Sequence, residues 1–290
     1  MTTPQTSAAT RTVPTRRISF EESLQTVPKH FARNGDLVSS HIMASLSAVF
    51  PDGEDFFVRS VRTYRDRVTD PDLKRQVTGF IGQEAVHGRE HRAFNDHLDT
   101  LGYPVKAFER FTKKGLQVRE RFMPASSNLA ATAALEHFTA TLAEVILTQP
   151  EARDMIGNQA VKDLFLWHAL EESEHKAVAF DVYKAVGGSE RMRTFTMNLL
   201  TFGFITGMVV QVIISLLGDR TTYRRGKLWR SLGRVKRSPF VSKDLWHRLR
   251  DYNRADFHPD DHDTTELVER WRSDLFGDHG TLNDKLSSAA

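Results

Sequence analysis

A chain of 290 residues with 12 His, 7 Met and no Cys excludes disulfides, Cys-based zinc fingers, Cys-ligated iron–sulfur clusters and Cys nucleophiles. Any metal site must be assembled from imidazole and carboxylate, a donor set suited to zinc, manganese or non-haem iron. With 40% hydrophobic and 27% charged residues the composition is that of a soluble protein, and a net charge of +3 is too small to argue for nucleic acid.

Residues 1–20 are rich in Thr, Ser, Pro and Ala and lack an apolar run. They read as a disordered lead without a secretory h-region, so a cytoplasmic location is expected. Residues 21–190 read as a helical bundle, with breaks expected at Pro51-Asp-Gly, Asp70-Pro71, Gly102-Tyr-Pro104, Met123-Pro124 and from Pro150 to Gly157. Asp70 before Pro71 is an N-cap with Pro at the first helical position. Residues 191–218 form an apolar helix in which 194–218 carries no charge. Residues 219–290 form a basic and then acidic helical extension, with 11 Lys/Arg from Asp219 to Arg250.

The core stripe of the helices is interrupted by polar residues. From Asp72 it runs Leu73, Val77, Phe80, then Glu84, His87 and His91, then Phe94 and Leu98. From Gln159 it runs Val161, Leu164, His168, Glu172, His175, Ala179. The helix from Asn128 places Glu136 among Leu129, Ala133 and Ala140, and the one from Pro51 places Glu54 in its first turn. A buried carboxylate is costly unless it is paired or binds a metal. Glu on four such stripes calls for one common cause.

The register supplies it. In a hairpin turning near Thr69-Asp70, Glu54 and Glu84 each lie about 15 residues, or roughly 22 Å, from the turn. Glu136 and Glu172 are likewise symmetric about the Pro150–Gly157 break. One Glu from each of two helices, with Glu-x-x-His from each of the other two (Glu84-Ala-Val-His87 and Glu172-Ser-Glu-His175), is the ligand layout of a carboxylate-bridged dinuclear centre. The expected fold is therefore all-α: a four-helix bundle around two metal ions, with extra C-terminal helices. Glu171 shares the face of His168 and His175, but the Glu-x-x-His spacing selects Glu172.

The run FPDGEDFFVRSVR, then GQEAVHGREH, ALEHFTA and WHALEESEHKAVAFD, resembles the ferritin-like family catalogued as predicted metal-dependent hydrolases. Its motif layout is similar to that of p-aminobenzoate N-oxygenase, a di-iron enzyme whose last bundle helix carries His-x-x-x-Glu-x-x-His. That resemblance implies His168 as a further ligand beside Glu172 and His175. His91, without a clear counterpart there, is left as a ligand, an outer partner or a proton relay, and Glu171 as an additional ligand or an outer partner.

The expected metal ligands are thus Glu54, Glu84, His87, Glu136, His168, Glu172 and His175, and no separate catalytic residue is assigned. Two ions are expected, iron first, with manganese or zinc as alternatives. The favoured chemistry is O2-dependent hydroxylation, N-oxygenation or desaturation of a small apolar or lipid-like substrate, fed by an electron donor. One alternative is hydrolysis by the same two ions. Another is a single-zinc hydrolase through His87-x-x-Glu90-His91, with Glu90 as general base. The apolar helix is expected to pack on the bundle or on a second copy; resting on the inner face of a membrane beside the Arg-rich tract, or spanning the membrane, are the alternatives. Gly203-x-x-x-Gly207 within it is a weak close-packing pattern.

Overall fold

The computed structural model describes residues 12–287. Among these the chain is all-α, with two isolated bridges, Ile18–Leu286 and Ala32–Ile156, and no named strand. The helices are α1 (Glu21–Leu24), α2 (Leu37–Arg62), α3 (Pro71–Thr100), α4 (Val105–Phe122), α5 (Ala125–Thr148) and α6 (Pro150–Asp154). They continue as α7 (Gln159–His175), α8 (Val178–Ala185), α9 (Glu190–Leu217), α10 (Lys227–Val235), α11 (Lys243–Asp251) and α12 (Thr265–Phe276).

Helix α3 starts as its sequence dictates. Asp70 Oδ1 accepts from the N–H groups of Asp72 and Leu73 at 2.7 and 3.0 Å, and Pro71 occupies a position whose N–H has no helical partner. Helix α7 is capped by Asn158, which accepts from Val161 N at 3.3 Å. The break expected at Pro51 does not occur: α2 runs through it for 26 residues. Proline removes the N–H that would bond the carbonyl of Ser47. The Asn95 side chain on α3 replaces that donor, reaching Ser47 O at 3.1 Å. Glu54 therefore sits well inside a helix instead of in a first turn.

Helices α2, α3, α5 and α7 surround a polar layer that divides the core. On one side Phe31, Phe94, Leu98, Leu147 and Leu164 pack together. On the other lie Phe56, Val61, Val77, Phe80, Leu129 and Val182. The change of character along α3, from Phe80 to Phe94, is thus the passage from one apolar half to the other.

The disordered lead is corrected for the part the structure describes; residues 1–11 lie outside it. From Thr12 to Phe20 the chain runs against the bundle without helix, with Ile18 and Phe20 fully buried and Phe20 set 5.4 Å from Trp167. Two glycines of α3 admit it: a Cβ on Gly79 would stand 2.0 Å from Val13 O, and one on Gly82 would stand 2.1 Å from Thr15 Oγ1. A polar composition hid this, because two buried apolar side chains suffice to hold a non-helical segment against a formed surface.

Candidate metal centre

The seven expected ligands meet in the dividing layer, all within 4% of full burial. Their donor atoms form two adjacent groups. Glu54, His87 and His168 offer one set, and Glu84, Glu172 and His175 another, each with its ligand atoms within 4.8 Å of one another. Glu136 joins the second, with Oε2 3.3 Å from His175 Nε2. Glu172 links the two: its Oε1 lies 3.0 Å from His168 Nε2, 3.5 Å from His175 Nε2 and 3.7 Å from His87 Nδ1.

Each imidazole has one nitrogen committed away from the layer. His87 Nε2 donates to Glu171 Oε2 at 3.0 Å. His175 Nδ1 donates to Gln83 Oε1 at 2.9 Å, an assignment forced because Gln83 Nε2 is itself donating to Glu174 and to Pro14 O. The third relay is longer. Ser47 Oγ donates to Asn95 Oδ1 and so accepts from His91 Nδ1 at 2.9 Å. His91 Nε2 then accepts from His168 Nδ1 at 2.7 Å. His87 Nδ1, His168 Nε2 and His175 Nε2 consequently present lone pairs to the layer. Outer partners of this kind fix the tautomer and orientation of metal-binding histidines.

Most of the polar atoms facing inward have no hydrogen-bond partner, although His168 Nε2 and Glu172 Oε1 lie 3.0 Å apart. Both carboxylate oxygens of Glu54, Glu84 and Glu136 are buried without one, as are Glu172 Oε2, His87 Nδ1 and His175 Nε2. Buried polar atoms are normally satisfied, so their convergence is the test of fit, and the residues fit metal. The electrostatics agree. Burial and then the Glu84 charge hold Glu54 well above the usual carboxylate range, and burial and then Glu136 do the same to Glu84. Burial and the Glu172 charge push Glu136 up to about 7. Burial works to raise Glu172 as well, but His175 and His168 outweigh it and hold that carboxyl low. Without cations this layer repels its own charge; two divalent ions would balance its four carboxylates.

Glu171 and His91 are placed outside the donor groups. Glu171 accepts from Arg16 at 2.7 Å as well as from His87, and Arg16 also holds Glu174. His91 is occupied at both nitrogens. The single-zinc arrangement is not assembled among the described residues: no donor group joins His87 to His91. Glu90, its general base, is buried accepting from Phe20 N at 2.7 Å and Arg89 Nε at 2.8 Å. The residues that sequence reasoning missed are Arg16, Gln83, Ser47 and Asn95. Only Gln83, adjacent to Glu84, carried a positional hint.

A third group, His30, His41 and Asp219, differs in kind. Asp219 accepts from His30 at 2.8 Å and from Thr221 N at 2.7 Å, and His41 Nδ1 bonds Ser215 Oγ at 2.6 Å. Its polar atoms are satisfied and Lys29 Nζ stands 3.5 Å from Asp219, so it acts as a latch between α2 and the end of α9.

Fold and site together define an all-α protein with buried His/Glu clusters able to hold metal ions. The chain belongs to the family described as predicted metal-dependent hydrolase, which it matches over residues 14–263. No curated protein matches it, and no solved structure does.

Proposed function

We propose that the layer is a ferritin-like dinuclear metal centre and that the protein is an O2-dependent di-iron enzyme acting on a small apolar substrate. The observation that carries the dinuclear reading is the convergence of unpartnered buried atoms from Glu54, Glu84, His87, Glu136, Glu172 and His175. Glu54, His87 and His168 would hold one ion, Glu84, Glu136 and His175 the other, with Glu172 between them. Two ferrous ions there would pass two electrons to O2, the substrate would give up the other two as it is oxidised, and an external electron donor would return the ions to the ferrous state.

The oxidative reading rests on the approach to the site. A pocket of about 30 Å³ reaches His168 and Glu172 between α2, α5 and α7, walled by Leu46, Phe50, Leu142, Ala143, Ile146 and Phe165. Its apolar walls favour O2 and hydrocarbon over a hydrated ester or phosphate. Phe50 is set 4.7 Å from the His168 ring, where it excludes water from the donor set. The second reading, hydrolysis by the same ions, is favoured by the family description.

Metal analysis of protein purified without added metal tests the first claim, with close to two ions per chain expected. Mixing the ferrous protein with O2 tests the second. O2 uptake with a transient visible absorption is expected. Turnover of esters by the zinc or manganese form, with no O2 uptake by the iron form, would establish hydrolysis instead.

A further inference from the structure

Helix α9 is long and apolar enough by length and composition to cross a bilayer, yet only 11% of its most apolar window is buried. Its exposed side is apolar, unlike that of a helix on a soluble surface. The side packed on α2 and α5 buries Arg193, Thr196, Gln211 and Ser215 together with Met197 and Leu216. The outward side carries Phe195, Leu199, Phe202, Val209, Ile213 and Leu217, each at least half exposed. Their spacing of three, four or seven residues makes one stripe, about 33 Å long at 1.5 Å per residue. Gly203 and Gly207 lie in open space, so no close packing within the chain uses them.

The inward side is held by specific bonds. Arg193 donates to the carbonyls of Tyr252 and Arg254 and pairs with Glu190. Ser215 bonds His41, and the following Asp219 is latched by His30. A helix tied this way stays on the bundle; its free stripe meets whatever lies outside.

What lies beside the stripe selects the occupant. Between Asp219 and Asp244 the sequence has no acidic residue. Arg220, Arg224, Arg225, Lys227, Arg230, Lys236 and Arg237 are exposed, and none forms an ion pair with a carboxylate among the described residues. Tyr223 and Trp229, 68% and 76% exposed, stand among them. The tract adjoins the stripe: Tyr223 Oη donates to Leu217 O at 2.9 Å, and Leu228, Leu232 and Val235 of α10 share a cluster with Val212. Apolar length, amphipathic aromatics and unpaired cations on one continuous surface match the headgroup boundary of an anionic bilayer. A second copy would bring the same unpaired cations against them.

We propose that this surface seats the folded protein on anionic lipid, with α9 lying in the plane of the membrane and not crossing it. The inference is independent of the chemistry at the metal centre.

Flotation of the full-length protein with vesicles tests it, comparing pure phosphatidylcholine with phosphatidylcholine containing phosphatidylglycerol. Partitioning at least about tenfold stronger onto the anionic vesicles, reduced by high salt, is expected because every cation near such a surface adds to an attraction that salt screens. Arg224→Glu/Arg225→Glu should lose most of the anionic preference. Phe202→Glu/Ile213→Glu should lose binding to both vesicle types, with circular dichroism and metal content unchanged. Equal flotation of these variants, or none by the wild type at low salt, overturns the proposal. So does light scattering that shows a lipid-free dimer dissociated by Phe202→Glu, which would assign the face to a second copy.

Discussion

The Glu171 carboxylate accepts the Nε2–H of His87 at 3.0 Å, and that contact leaves Nδ1 as the lone pair His87 presents to the metal layer. Glu171 touches no other donor of the layer and is itself gripped by Arg16. Orienting partners of ligating histidines are worth about 10–100-fold in metal affinity. Glu171→Ala should therefore weaken metal binding by about that factor while leaving every ligand in place. Competition against a chelator of known affinity measures it, and an unchanged affinity would refute the orienting role.

Glu172 stands between both donor groups, closer to His168 than to His175. Glu172→Ala should lower the metal content from two ions per chain to one or fewer. Glu174→Gln, at the buried neighbour held by Arg16, Gln83 and Arg272, should not change it. Elemental analysis of the two variants side by side decides the point.

Arg16 bridges Glu171 and Glu174 at 2.7 Å, with its own side chain 10% exposed and both carboxylates fully buried. Removing one member of a buried charge network strands the others, at a cost of about 3–5 kcal/mol. Arg16→Ala should show a loss of that size in urea unfolding. A loss below about 1 kcal/mol, typical of an exposed pair, would contradict the packed N-terminal segment.

Stripping the metal should be destabilising, because the layer then holds carboxylates buried beside one another. With free metal at about a thousand times its dissociation constant, the linkage is worth about 4 kcal/mol for each ion bound, or roughly 10 °C in Tm per ion for a chain of this size. Calorimetry before and after chelation, with recovery on adding ferrous iron, provides the check.

The latch at the end of α9 gives a pH dependence of definite sign. Burial pulls His41 down to about 4, against the opposing pull of Asp219. Between about pH 6.5 and 4 the unfolded chain therefore binds a proton that the folded chain refuses, and this site's stability falls as pH falls. Asp219 is held below its usual range, so its own contribution persists above about pH 4. Replacing His41 with Gln should flatten the acid limb by up to about 1.4 kcal/mol per pH unit. An unaltered slope across that window would assign acid unfolding to other groups.

How much of the centre was legible in advance is clearest on α3 and α7. A helix repeats its face every three to four residues, so an apolar stripe interrupted by Glu84 and His87, or by His168, Glu172 and His175, identifies inward-facing polar groups from local spacing alone. Pro51 misled for a reason outside its own helix. The carbonyl it leaves unpaired is satisfied by Asn95 on α3, and without that donor a break would be the sound expectation. The N-terminal segment misled similarly: its composition is polar, while the glycines that receive it belong to another element.

Periodicity determined the all-α class and the helix faces on which Glu84, His87, Glu136, His168, Glu172 and His175 lie, because each is a property of residues within a few turns of one another; His168 entered as a ligand only through the family resemblance. Tertiary structure alone decided which nitrogen of each imidazole faces the layer, since the partners that commit the other nitrogen lie 77 to 92 residues away, and the arginine that holds Glu171 lies 155 away. It also decided which side of α9 is free. The apolar run is uniform in sequence, and only packing on α2 and α5 buries Gln211 and Ser215 and leaves a stripe of Phe, Leu, Val and Ile exposed.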